Sequence, residues 1–222
     1  MATFLPPPSF AGVIFDMDGV LCDSEAFICE AAIRMFKQNH GVDVEPDDFK
    51  PFVGTGEDRF IGGVADKYQV KLDPKRDKAT TYDIYLELIK GRLEPLPGAI
   101  SFINDCKRRG MKIAVATSAD IIKMNGNLTE IGLPAETFDA RVNGLDVEHK
   151  KPAPDLFLKA AEQLGLDPAR CLVVEDAENG CQAAKAAGAR CLGLTTSFSA
   201  QALHAAGADW TAPDLTLGFA DG

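Results

Sequence analysis

The sequence has no CxxC pair, no apolar run long enough to span a membrane, and only three histidines in 222 residues. Its six cysteines, Cys22, Cys29, Cys106, Cys171, Cys181 and Cys191, are scattered, and three lie in or beside apolar stretches. That argues against a zinc centre or a disulfide framework and for small buried thiols in a reducing compartment. His40, His149 and His204 are isolated and read as surface or packing residues. Basic residues are also in short supply: 23 Lys and Arg against 33 Asp and Glu leave a net charge of −10. This counts against a general affinity for nucleic acid or an anionic membrane, and an anionic substrate would need local help from a metal ion, a lysine or helix amino ends. The opening "MATFLPPPSF" has neither the basic start nor the apolar core of a secretion signal. These deficits predict a cytoplasmic protein with no nucleic-acid or membrane partner, a monomer by default.

What is present is an ordinary globular composition, 46% hydrophobic and 25% charged, with enough length for one generous domain or a core carrying a smaller inserted one. The run Ala11 to Phe15 in "AGVIFDMDGVLCDSE" is too short for a helix and ends in Asp and Gly, which suits a strand buried on both faces of a parallel sheet. From residue 96 onward β-like runs alternate with helical stretches, the pattern of repeated βαβ units. "PGAISFINDCKRRG" predicts a helix with Ile100, Ile103 and Cys106 on one face and Gly110 as its stop, followed by the strand "MKIAVATS". Further expectations are a helix from about Ser118 to Ile131, a short strand at Ala140 to Val142, a helix in "PDLFLKAAEQLG", a strand in "ARCLVVED", a helix in "AENGCQAAKAAG" and a strand in "RCLGL". The end of the chain, around Trp210, reads as a short edge strand and a loosely held tail.

Residues 21–95 contain no β-like run. "SEAFICEAAIRMFKQNHG" has Ser24 as a cap and a stripe of Phe27, Ala31 and Met35, and "DKATTYDIYLELIKG" reads as a second helix. The expected fold is therefore α/β, a Rossmann-like parallel sheet (residues 1–20 and 96–222) with an inserted all-helical cap (residues 21–95). Hinges are expected near Leu21 to Ser24 and Leu93 to Gly98.

Four short signals occur in order, each at the end of an expected strand: "DMDG" with Asp16, Asp18 and Gly19; "VATSAD" with Thr117 and Ser118; "KKPAPDLF" with Lys151; and "VVEDAENG" with Glu175 and Asp176. Open α/β sheets bind ligands at that edge. Asp16, Asp18, Glu175 and Asp176 would bring four mutually repelling carboxylates together, a conflict that a hard divalent cation resolves, and oxygen-only ligands suit Mg²⁺ better than zinc. Each signal alone has an ordinary structural reading, as a turn, a helix cap or a surface lysine; the ordered set of four is the specific feature.

Across essentially the whole chain this set resembles the haloacid dehalogenase-like superfamily, in its phosphatase and β-phosphoglucomutase-like branch. The resemblance implies an Mg²⁺-dependent phosphatase acting on a small phosphorylated metabolite. It makes Asp16 the nucleophile, Asp18 the acid and then base, Thr117 and Ser118 phosphate contacts, and Lys151 a point charge on the phosphate and on Asp16. Gly19 would allow the backbone to approach the ligand, and Gly54 and Gly56 in "VGTGED" would reach down to the leaving group. The dehalogenase branch lacks the second acid of "DxD", so Asp18 disfavours dehalogenation. Two alternatives stay open: a phosphosugar mutase, whose cap histidine corresponds to Ile28 here while Val53 and Glu57 stand at its basic cap positions and Arg59 is a substitute, and a non-catalytic domain that binds a phosphorylated ligand or a protein. Lys150 reads as a solvated neighbour of Lys151.

Overall fold

The computed structural model describes residues 10–52 and 56–219, and in it the first apolar run forms a strand, β1 (Gly12–Phe15), buried at all four positions. Alternation sends its side chains to opposite faces. Val13 and Phe15 join one hydrophobic cluster and Ile14 the other. The remaining strands are β2 (Lys112–Ala116), β3 (Ala140–Val142), β4 (Cys171–Glu175), β5 (Arg190–Leu194) and β6 (Trp210–Ala212). All neighbours are parallel, in the order β3-β2-β1-β4-β5-β6.

In this order the connections reverse direction between β1 and β4, which opens a crevice at the carboxyl edge of the sheet. Register decides what lies there. Phe15 is level with Val115 of β2 and Val174 of β4, so Asp16, Thr117 and Glu175 all emerge at that edge. The backbone N–H of Asp16 bonds the Val174 carbonyl at 2.9 Å and that of Thr117 bonds the Val142 carbonyl at 3.0 Å, carrying the ladder up to the site.

Helices α1 (Glu25–His40), α2 (Glu57–Tyr68) and α3 (Pro74–Ile89) lie between β1 and β2 in the chain, with no strand among their described residues. α4 (Ala99–Arg108) and α5 (Ile121–Glu130) cover the face of Phe15, and Phe102 of α4 meets the Phe15 ring edge-on at 6.1 Å between ring centres. α6 (Asp155–Leu164), α7 (Glu178–Ala186) and α8 (Ala200–Ala206) supply the cluster on the other face. The two links to the helical insertion run side by side: Leu96 N–H bonds the Leu21 carbonyl at 2.9 Å, and Cys22 bridges Pro95. Among the described residues no helix is long and apolar enough to cross a membrane, and all six cysteines are free.

Several local expectations change. Ile100 is 39% exposed, because α4 buries the stripe Ala99, Phe102, Ile103 and Cys106 and Ile100 is rotated off it. α5 begins at Ile121, three residues later than the spacing suggested, since Ser118 to Asp120 form the loop that carries the site. The tail is held, not loose: Leu215 and Phe219 are buried, and Phe219 stacks on Phe102 at 5.0 Å. Ser24 occupies the N-cap of α1 but makes no capping bond; its hydroxyl is turned to Asp18. Val53 and Gly54 lie outside the described residues.

Candidate active site

The carboxyl edge of β1 and β4 opens into a cavity of about 600 Å³ shared by the sheet and the helical insertion. At its floor Lys151, almost fully buried, donates to Asp16 Oδ1 and Glu175 Oε1, each at 2.5 Å. Glu175 is fixed from its other side, where Oε2 accepts the backbone N–H groups of Asp176 and Ala177 at 2.9 Å. Ser197 in the loop after β5 donates to Asp176, and Thr196 Oγ1 donates to the Gly19 carbonyl at 2.7 Å. The sequence reading missed both residues, although "TTSFS" follows a strand just as the other four signals do.

Two glycines are dictated by this crowding. Gly19 has φ +73°, and a Cβ there would strike the Asp176 carboxylate; one on Gly180, in the first turns of α7, would strike that of Glu175.

Asp16, Glu175 and Asp176 each bring an oxygen within 4.8 Å of the others, all three residues being buried. Three carboxylates and one ammonium leave this group with two negative charges. Burial, with the charges of Glu175 and Asp18, pushes Asp16 up to about 7 despite Lys151. Burial and the charges of Glu175 and Asp16 likewise raise Asp176 well above the usual carboxylate range. Burial would lower Lys151, but Asp16 and Glu175 hold it above the ordinary lysine value. An all-oxygen donor set with two uncompensated charges fits a hard divalent cation.

Asp18, the fourth acid expected among the metal ligands, lies outside that group of three. One of its oxygens accepts from Ser24, and the other accepts from Lys123 Nζ at 2.8 Å. Lys123 is a buried lysine of α5 that sequence reasoning also missed, since a lysine inside a helical stretch carries no motif. Asp16 and Asp18 both line the cavity, as do Gly19, Thr117, Ser118 and Gly56. Thr117 Oγ1 accepts from the Ala119 N–H at 3.1 Å. Ser118 lines the cavity, 7% exposed as a residue, and its buried hydroxyl has no hydrogen-bond partner among the described residues.

Gly56, at φ +86°, approaches Lys150 and the Ser118 carbonyl, where the insertion meets the core. Ile28, Phe52 and Phe60 line the insertion's side of the cavity, and Arg59 lies over the Phe52 ring, 5.3 Å from its centre. The three histidines are engaged elsewhere: His40 with Asp77, His149 with Asp155, and His204 with the Ala208 carbonyl.

Residues 10–188 match the family model described as haloacid dehalogenase-like hydrolase. The chain is 45% identical, over 92% of its length, to the Arabidopsis thaliana protein SUPPRESSOR OF QUENCHING 1, chloroplastic, but spans only 20% of that relative. It is 34% identical to the fructose-1-phosphate phosphatase YqaB of Escherichia coli, with 81% of this chain and 93% of that one covered. Its fold superimposes on the crystal structure of CbbY from Rhodobacter sphaeroides in complex with phosphate with a TM-score of 0.82, at 27% identity and covering 94% of this chain and 97% of that one. The six-stranded parallel sheet, the carboxylates at the ends of β1 and β4 and the family match over most of its length place the chain among the haloacid dehalogenase-like hydrolases.

Proposed function

We propose that the chain is a divalent-metal-dependent phosphatase that hydrolyses a small phosphate monoester, of the sugar-phosphate kind, through an aspartyl-phosphate. The observation that carries this reading is the floor of the cavity, where Lys151 ties Asp16 to Glu175 beside Asp176, with Thr117 and Ser118 in the same lining. The relatives support the substrate class, one being named a fructose-1-phosphate phosphatase and another crystallised with phosphate.

Asp16 attacks phosphorus and forms the new P–O bond as the ester P–O bond breaks, and the leaving oxygen takes a proton from Asp18. Asp18, now a carboxylate, takes a proton from water as the water oxygen attacks phosphorus; the bond to Asp16 breaks and inorganic phosphate leaves. Thr117 and Ser118 donate to the phosphoryl oxygens, and Lys151 holds positive charge beside the transferring group. Asp16, Glu175 and Asp176 would hold Mg²⁺, which supplies charge neutralisation for the phosphoryl group when bound.

In this reading residues 21–95 act as a cap over the core formed by residues 1–20 and 96–222. The adjacent links at Leu21 and Leu96 serve as its hinge, so that closure excludes bulk water. Ile28 in the cavity, at the position of the mutases' histidine, favours a hydrolase over a mutase. The free thiols suit the cytoplasm or another reducing compartment.

The test is a panel of phosphorylated metabolites and p-nitrophenyl phosphate with Mg²⁺, with and without a hexose bisphosphate. Phosphate release that needs the metal, does not need the bisphosphate and falls by at least about 10³-fold in Asp16→Asn is the expected result. Turnover that survives Asp16→Asn, or no turnover on any ester, contradicts the reading.

A further inference from the structure

Lys123 has no role in the reaction as described, yet its ammonium is buried beside the cavity. It is 4% exposed, it lines the cavity wall, and its Nζ lies 2.8 Å from Asp18 Oδ2. The other oxygen of Asp18 is taken by Ser24, which gives up its helix-capping bond to reach it. Tyr85 of α3 bonds Asn127, one turn further along α5, and the Tyr85 ring centre is 6.0 Å from Lys123 Nζ. Burying an ammonium costs several kcal/mol unless it is paired, and an aliphatic side chain would fill the same place on α5 without that cost. Asp18 supplies an opposite charge that offsets that cost.

We propose that Lys123 is a positioning residue for Asp18: with Ser24 it clamps both carboxylate oxygens and fixes the orientation from which Asp18 exchanges protons. The proposal rests on the reading of Asp18 as acid and base. A carboxyl group that gives its proton to a leaving oxygen and then, as a carboxylate, takes one from water must serve both from a defined position, and an unclamped aspartate turns about χ1 and χ2. Lys123 belongs to the core and Ser24 to the start of the insertion, so the clamp is complete only when the N-cap of α1 and the side chain from α5 both reach Asp18.

The experiment uses p-nitrophenyl phosphate with saturating Mg²⁺ and compares wild type, Lys123→Met, Asp18→Asn and the double variant. The p-nitrophenolate leaving group needs no proton, so phosphorylation of Asp16 proceeds without Asp18, whereas breakdown of the phospho-enzyme requires it. In Lys123→Met, kcat is expected to fall by at least about 10-fold, with kcat/KM within about threefold of wild type and a p-nitrophenol burst of about one equivalent per enzyme. In the Asp18→Asn background, adding Lys123→Met should change kcat by less than about twofold, because Lys123 acts through Asp18. A kcat within about twofold of wild type overturns the proposal; so does a fall in kcat/KM together with loss of the burst, or a further fall of more than about fivefold in the Asp18→Asn background, which would make Lys123 a substrate ligand or a purely structural residue. If Lys123→Met does not fold, Ser24→Ala removes the other arm of the clamp and must show the same split between kcat and kcat/KM. Turnover that persists in Asp16→Asn would defeat the phosphatase reading itself, a result distinct from any of these.

Discussion

Asp16 is held between a lysine that favours its charge and a surrounding that opposes it, with opposition the stronger. Its carboxyl is pushed from 3.8 up to about 7, first by burial and then by Glu175 and Asp18. Between about pH 4 and 7 the unfolded chain has released a proton that the folded, metal-free chain retains, so raising the pH through that window destabilises the fold. A divalent cation among Asp16, Glu175 and Asp176 favours the carboxylates and cancels that loss. The rise in Tm on adding Mg²⁺ should therefore be larger at about pH 8 than at about pH 5; an equal or smaller rise at the higher pH contradicts the account. Asp16→Asn removes one of the repelling charges, so at about pH 8 without metal its Tm should be no lower than that of wild type. That separates its loss of turnover from a loss of fold.

The strand ends were legible because two constraints coincide there. A strand buried on both faces is apolar up to its end, so the first charged residue marks the edge, as Asp16 does after Phe15 and Glu175 after Val174. The rest was hidden where long-range packing decides. Nothing local says that Ser24 will turn from its cap to Asp18, that Ile100 will face solvent, or that Lys123 will be buried under Tyr85. Ser197 and Thr196 were missed for want of a charged residue to mark the end of β5.

Phe15, fully buried between the sheet and α4, should lose about 3–5 kcal/mol of stability on replacement by Ala, read by denaturant unfolding. Gly180→Ala should fold, since a glutamate side chain can swing aside, but it pushes Glu175 out of its bonds to Lys151 and to the Asp176 and Ala177 amides. Its apparent affinity for Mg²⁺, read from titrations of thermal shift and of turnover, should drop by about 10–100-fold; unchanged affinity would mean that Glu175 has no part in holding the ion.

Across the whole molecule, a net charge of −10 meets a substrate that is itself an anion, so the field of the protein repels what the cavity binds. Screening relieves that repulsion. Raising ionic strength from about 10 to 150 mM should increase kcat/KM for a phosphate monoester by about twofold, where a positively steered site would show a decrease. In the proposed reaction attraction is left to short-range groups that line the cavity, Lys151, Ser118 and Thr117, and to a cation that the carboxylates would hold. The account as a whole depends on a phosphoryl group passing through Asp16. The direct measurement is to quench Mg²⁺-supported turnover of p-nitrophenyl phosphate in acid, reduce the protein with borohydride and map it by mass spectrometry. Conversion of Asp16 to homoserine, dependent on substrate and absent from Asp16→Asn, is the predicted result; an unmodified Asp16 with the label on another residue would contradict it.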